Sequence, residues 1–257
     1  MAFSAWIRVR KIALVAAVWI WSLHALLGVA QSSDKARVPV LVELFTSEGC
    51  SDCPPADALL ARLDAKQPIA GVEAIVLSEH VTYWDHLGWR DPFSLDIATQ
   101  RQEEYVRRFG LNSAYTPQAV VDGASQFVGS DEHAMVAAVS KAAMMPKMNL
   151  EIENARWDHC VVRFAVRGEA SKGLKLVVVL AANATHSEVA RGENAGRVLH
   201  HTAVVRAMKE MDGVVADGRA LSMEAQTGSI EGQMRLVVFA TDVKTGRVIA
   251  AAEQALR

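Results

Sequence analysis

The chain has 257 residues, 51% of them hydrophobic and 22% charged, with a formal net charge of -2. That is enough to bury one large core or two smaller ones, and it lacks the positive charge that an electrostatic footprint for nucleic acid requires. Three cysteines in a chain of this length exclude a disulfide-stapled miniature scaffold, and no internal repeat, low-complexity tract or long charge run is present.

At the amino terminus, Arg8, Arg10 and Lys11 precede an apolar run from Ile12 to Val29, and Gly28-Val29-Ala30 has the small-residue spacing of a cleavage site. Residues 1–30 therefore read as an export signal, with a mature chain starting near Gln31 in the periplasm or secreted. Cleavage would remove three positive charges and shift the formal charge from -2 to -5. Left in place, residues 12–29 are long enough to anchor the protein, and they are the only membrane contact expected.

Val40, Leu41, Val42, Leu44 and Phe45 form a nearly continuous apolar run, the pattern of a strand buried on both faces. Thr46 to Asp52 supply turn chemistry, with Gly49 free to take a positive φ. Ala56, Leu59, Leu60 and Leu63 then recur at helical spacing, so Cys50-Ser51-Asp52-Cys53 sits at a helix N-terminus, with Pro54 and Pro55 tolerated in the first turn. Unpaired N-H groups there stabilise a thiolate, and Cys50, first in the motif, is the expected nucleophile, with Cys53 the resolving thiol. Asp52 opposes this by like charge, or caps the helix.

Residues 74–77 read as a second strand, parallel to the first. The following segment, Glu79 to Phe93, gathers Tyr83, Trp84, Trp89, His80 and His86 without clean periodicity, which suits a loop packed over a site; each aromatic taken singly also serves packing. Leu95 to Phe109 reads as a helix stopped by Gly110. Tyr115 to Gly123 reads as a strand entered through Thr116-Pro117 and left through Asp122-Gly123, with Gln126 to Gly129 as hairpin partner. A helix capped by Ser130 follows, with Met135, Val136 and Val139 inward.

Beyond residue 147, period-2 patterning takes over. Cys160, Val162, Phe164 and Val166 share one strand face, which places Cys160 in a core. Further strands are expected at residues 149–155, 174–182, 198–208, 234–241 and 247–252, a run that argues a β-sandwich. The segment Arg191 to His201 reads either as a solvated connection or as a binding loop on a rigid scaffold.

The order of elements resembles the thioredoxin fold. In that superfamily a cis proline lies against the dithiol and a buried acid sits late in the first strand, and the resemblance assigns these places to Pro117 and Glu43. The closer resemblance is to the exported thioredoxin-like proteins of domain-of-unknown-function family 1223. It is carried by Glu43-Leu44-Phe45-Thr46-Ser47, Gly49-Cys50, Cys53-Pro54-Pro55-Ala56-Asp57, His80-Val81 with Tyr83-Trp84-Asp85, Leu87-Gly88-Trp89, Asp91-Pro92-Phe93, Tyr115-Thr116-Pro117-Gln118 and the segment Arg191 to His201.

The fold class expected is thus α/β: a thioredoxin-like domain over residues 38–146, followed by a smaller all-β, sandwich-like domain over residues 147–257. The function expected is exported thiol–disulfide exchange by Cys50 and Cys53 with protein thiols or disulfides of the cell envelope, without a cofactor or a bound metal. Thr116 and Pro117 would hold the substrate strand, and His80, Tyr83 and Trp84 would line the approach. Two alternatives stand beside it: copper handling with His80 as a ligand, and a non-catalytic partner-binding protein with a structural CxxC.

Overall fold

The structure is a computed structural model that describes residues 36–158, 161–168, 173–212, 219–224 and 233–256. The segment read as an export signal, its expected junction near Gln31 and Cys160 lie outside the described residues.

Strand β1 (Val38–Thr46) carries apolar side chains on both faces and lies in parallel beside β2 (Val72–His80), with Val38 opposite Val72 and Thr46 opposite His80. The connection is α1 (Pro54–Lys66), which starts with proline in its first turn and ends at Gln67 in a left-handed conformation. Its inner face of Ala56, Leu59, Leu60 and Leu63 packs on Val40, Val42, Leu44, Ala74 and Val76, so the helical spacing reads directly as burial. Helix α2 (Asp96–Phe109) covers the opposite face, where Tyr105 meets Phe45 edge to face at 5.9 Å, and it stops at Gly110 with φ 65°. β3 (Gln118–Val121) and β4 (Ser125–Val128) extend the sheet antiparallel. Helix α3 (Glu132–Ala143) then returns to the α1 side.

Its cap is Asp131, not Ser130: the Asp131 carboxylate accepts from the Ala134 N-H at 2.9 Å. Met135 and Val139 are buried as expected, whereas Val136 is exposed.

The remaining strands do two things. β5 (Leu150–Asp158), β6 (Val161–Gly168) and β9 (Arg219–Glu224) form a three-stranded antiparallel sheet. β7 (Leu174–Glu188), β8 (Val198–Asp212), β10 (Met234–Asp242) and β11 (Val248–Leu256) continue the first sheet, in the order β11-β10-β7-β8-β2-β1-β3-β4. The seam is a parallel contact between β2 and β8, with Ser78 opposite Val204.

The smaller sheet covers one face of this extension, Val162, Phe164 and Val166 packing with Leu176, Val178, Leu180 and Leu236. On the other face the sheet curls, so that Leu41, Ile75 and Leu77 share a core with Val177, Val179, Phe239, Val248 and Ala251. β11 is fastened near β1 through Asp122: its carbonyl accepts from the Val248 N-H at 2.9 Å and its carboxylate pairs with the Lys147 ammonium at 2.6 Å.

The expected α/β class, a thioredoxin-like domain followed by a smaller sandwich-like domain, is corrected by this architecture. The protein is mostly β, with 47% strand, three helices among the described residues and one large mixed sheet. The physical reason is that alternating apolar residues announce a strand but not its neighbour. β7 and β8 pair through to β2, so strands from both sides of residue 147 share one sheet. β9 is not among the expected strands, and no helix among the described residues is long and apolar enough to cross a membrane.

Phe239 is fully buried where the two parts of the curled core meet, and the Arg101 guanidinium lies 5.0 Å from its ring centroid. Phe239→Ala is expected to lower the unfolding free energy by about 3–5 kcal/mol, read from the midpoint of urea denaturation. A loss below about 1 kcal/mol would mean that the site relaxes to fill the void.

Candidate functional site

The site lies where β1 and β2 end and α1 begins. Cys50 and Cys53 form a disulfide with Cα atoms 5.4 Å apart, and Cys53 is the N-cap residue of α1. Two turn hydrogen bonds shape the motif, from Cys50 N-H to the Ser47 carbonyl and from Cys53 N-H to the Cys50 carbonyl. Asp52 is exposed and does not cap the helix. Gly49 does not take a positive φ. Glycine suits that position for another reason: a Cβ there would stand 3.1 Å from Trp84 Cβ.

Trp84 in turn donates its indole N-H to the Thr116 hydroxyl at 2.8 Å, and the Thr116-Pro117 peptide bond is cis. A Cβ added to Gly129 would fall 3.3 Å from both Pro117 Cβ and Ala56 Cβ, which sets Pro117 beside the first turn of α1. Trp84, Thr116 and Pro117 therefore wall one side of the motif. Tyr83 packs with Phe45 and Tyr105, and burial pushes its hydroxyl up to about 12.

Glu43 is elsewhere. It points to the α2 face, where Tyr105 donates to it at 2.6 Å and the Arg101 side chain forms a short ion pair with it. Arg101 also lies 3.8 Å from Glu79 and 3.6 Å from Glu210, so this is a buried charge network under α2, across the sheet from α1. Burial, followed by the nearby Glu43 charge, raises the Glu79 carboxyl well above its ordinary range.

Beside the motif on the α1 side lies a second polar cluster of Glu48, Asp57, His80, Asp91 and His201, all at least nine-tenths buried. His80 Nδ1 lies 2.7 Å from Asp91 Oδ2, an oxygen that also accepts the Glu48 N-H at 2.8 Å. His201 Nε2 lies 3.1 Å from Glu48 Oε1, while its Nδ1 is 3.7 Å from Asp57 Oδ2. The two imidazoles meet edge to face at 4.6 Å, and Phe93 packs against both. His80 is thus part of this buried cluster and does not line an approach to Cys50.

Burial tends to raise the Asp91 carboxyl, but the His80 charge and hydrogen bond and the N-H groups of Glu48 and Phe93 together hold it below its ordinary value. For Asp57 burial wins: against the pull of His201 and the Thr46 hydroxyl, and helped by the charges of Asp91 and Glu48, it is pushed up to about 6.

The far side of the motif is closed by the β7–β8 connection. Asn194 donates from Nδ2 to the carbonyls of Glu48 and Cys50, both at 2.9 Å, and the Ser51 N-H donates to Glu193 Oε2 at 3.1 Å. Cys50 is only 2% exposed and Cys53 not at all. Sequence reasoning gives no individual role to Glu48, Asp57, Asp91, Glu193, Asn194 or His201. Only tertiary pairing reveals their partners, since Asn194 and Cys50 are 144 residues apart. The one available hint was that most of them fall in the segments that carry the family resemblance.

These features define a class: a curled, mixed-sheet protein with a CxxC disulfide at a helix N-terminus, enclosed by the β7–β8 hairpin of the same sheet. The chain belongs to the family described as protein of unknown function (DUF1223), which it matches over residues 41–241. Its structure is similar to the crystal structure of protein AGR_C_4864 from Agrobacterium tumefaciens, at 24% identity and a TM-score of 0.62 over 84% of this chain and 94% of that one, which is a likeness of fold. A match to the chicken interferon gamma receptor alpha chain has 10% identity over 54% of this chain and 57% of that one, and its TM-score of 0.27 carries no argument. No curated protein matches the chain.

The Asp57 carboxyl generates a pH test. Its folded value of about 6 lies above the ordinary 3.8, so the stability it contributes is fully present below about pH 4 and is lost as pH rises through about 6. Asp57→Asn, in the oxidised protein, should therefore gain on the parent between pH 4 and pH 8 by about 2–3 kcal/mol. Urea denaturation at both pH values reads the difference, and an offset that does not change with pH would contradict the assignment.

Proposed function

We propose that this protein is an exported thiol–disulfide oxidoreductase in which Cys50 and Cys53 exchange with thiols or disulfides of cell-envelope proteins, without a cofactor. The observation that carries the reading is the position of the pair, a disulfide whose second sulfur belongs to the N-cap residue of α1. On reduction, a thiolate in that position is stabilised by the helix dipole, since Pro54 and Pro55 carry no N-H and those of Ala56 and Asp57 are bonded to the Cys53 carbonyl. Cys50 is the attacking thiol, because it precedes exposed Ser51 and Asp52 while Cys53 is enclosed by the helix.

In the reducing direction the Cys50 thiolate attacks a substrate disulfide, forming a mixed disulfide and releasing one substrate thiolate. The Cys53 thiolate then attacks the Cys50 sulfur, which re-forms the Cys50–Cys53 bond and releases the second substrate thiolate. Two electrons pass from the dithiol to the substrate, and the protons of the two enzyme thiols end on the two product thiols. Oxidation of a substrate dithiol runs through the same intermediate in reverse. Thr116 and Pro117, beside the first turn of α1, form the surface against which a substrate strand would lie.

A second reading is favoured by one observation. Both sulfurs are enclosed, as suits a structural disulfide in a partner-binding protein. Copper handling draws no comparable support: among the described residues no group of three or more His, Cys, Asp or Glu side chains is arranged to hold a metal ion, and His80 is engaged with Asp91.

Cys53→Ala, expressed in cells, should accumulate mixed disulfides with envelope proteins, and Cys50→Ala should not. Non-reducing gels followed by identification of the trapped partners would show this. The exchange reading fails when the purified protein shows no reversible equilibrium with a glutathione buffer and neither variant traps a partner.

A further inference from the structure

The β7–β8 connection touches the motif through the motif's backbone. The segment from residue 189 to 197 is folded on itself, with Gly196 N-H bonded to the Val189 carbonyl at 2.8 Å and Val189 N-H to the Arg197 carbonyl at 2.9 Å. Residues 190–193 and 195–197 are exposed, whereas Asn194 is 1% exposed. Val189 is buried at the base of the segment, and from the exposed stretch beyond it the Asn194 side chain alone plugs into the motif. Its amide is fully engaged: Oδ1 accepts from Arg197 Nη1 at 2.9 Å while both N-H groups are spent on the carbonyls of Glu48 and Cys50. Gly192 rests on the aromatic loop, where a Cβ added to it would lie 3.1 Å from Trp89 Cβ.

Neither motif contact involves a sulfur, so the loop can leave without breaking the disulfide. What it does is occupy both polar groups of the Cys50–Ser51 peptide, the Cys50 carbonyl and the Ser51 N-H, which an incoming polypeptide would otherwise meet. A nucleophile must approach a disulfide along the line of its two sulfurs, and a cysteine residue that is only 2% exposed, bonded to one that is wholly buried, offers no such path.

We propose that the segment from residue 189 to 197 is an autoinhibitory latch, seated by Asn194 and Glu193, which must release before the Cys50–Cys53 pair can exchange with any partner. The inference rests on the exchange reading above for its purpose, but its own content is the access of reagents to the disulfide. The latch holds because withdrawing Asn194 takes its two N-H groups from the Glu48 and Cys50 carbonyls; the Cys50 carbonyl keeps the Cys53 N-H at 3.3 Å, while the Glu48 carbonyl is left to water. Two neutral hydrogen bonds of this kind shift an opening equilibrium by roughly ten- to a hundredfold.

The test measures the pseudo-first-order rate at which tris(2-carboxyethyl)phosphine reduces the disulfide of the full chain under native conditions. Asn194→Ala should accelerate reduction at least tenfold, with a rate still linear in reductant and a urea midpoint showing the protein folded. Glu193→Ala, an exposed substitution that spares the fold, should accelerate it a few-fold and serves alone when the first variant does not fold. Reduction at the parental rate in the folded variants overturns the latch. In cells, Asn194→Ala combined with Cys53→Ala should trap more mixed disulfide than Cys53→Ala alone. Accelerated reduction without any trapped partner would uphold the latch and count against the exchange reading, so the two failures are told apart.

Discussion

The arrangement around the motif depends on one buried carboxylate. Glu48, two residues before Cys50 and wholly inaccessible, receives the Trp89 indole N-H at 2.8 Å, lies 3.1 Å from His201 Nε2 and takes a short hydrogen bond from the Ser187 hydroxyl. Those three partners come from the aromatic loop, from β8 and from β7. A charge removed from water is tolerated only when its lone pairs are filled, and removal of one partner of such a pair typically costs about 3–5 kcal/mol. Glu48 therefore fixes the motif, the aromatic loop and the distant hairpin in one register. Its backbone continues the same task, donating to Asp91 and accepting from Asn194.

This explains how a motif near the start of the chain comes to be closed by a loop near residue 194. The large sheet delivers the hairpin: β8 lies parallel to β2, and its early residues, His201 and Ala203 among them, reach the α1 side. The polar cluster then occupies the gap between strand ends and helix start, where apolar packing stops. Five ionisable side chains buried together are a costly arrangement for stability alone, and shifted carboxyls such as Asp57 and Asp91 among them gather at functional sites. The Glu43–Arg101–Tyr105 network across the sheet is buried as well, yet it links α2 to the strands and reaches no cysteine in the contacts described above. Two buried networks in one sheet thus serve different layers.

Local features were legible because they rest on local physics. The double-faced apolar run of β1, the i, i+3, i+4 spacing of α1, the prolines after Cys53 and the glycine after Phe109 all act within a few residues. Other local expectations failed where a tertiary neighbour decided. Gly49 is favoured by the close approach of Trp84 and not by its own φ, and Asp131 displaced Ser130 as a cap because its carboxylate reaches the Ala134 N-H. Glu43, which the resemblance makes the buried acid late in the first strand, is fully buried there, and the alternation of side chains turns it to α2 while Leu44 and Thr46 face the other way.

By itself the sequence determined that Cys50 and Cys53 would sit at a helix N-terminus after a buried strand, since spacing, turn residues and prolines act over one or two turns of chain. It also determined most of the later strands, through period-2 patterning that needs no knowledge of partners. Only the tertiary structure decided that β7 and β8 join the same sheet as β1 and β2, because backbone hydrogen bonds between strands carry no residue code for which edge they will find. Once that pairing is made, His201, Glu193 and Asn194 arrive beside a motif more than 140 residues away. Whether a dithiol is open or enclosed is a property of such arrivals.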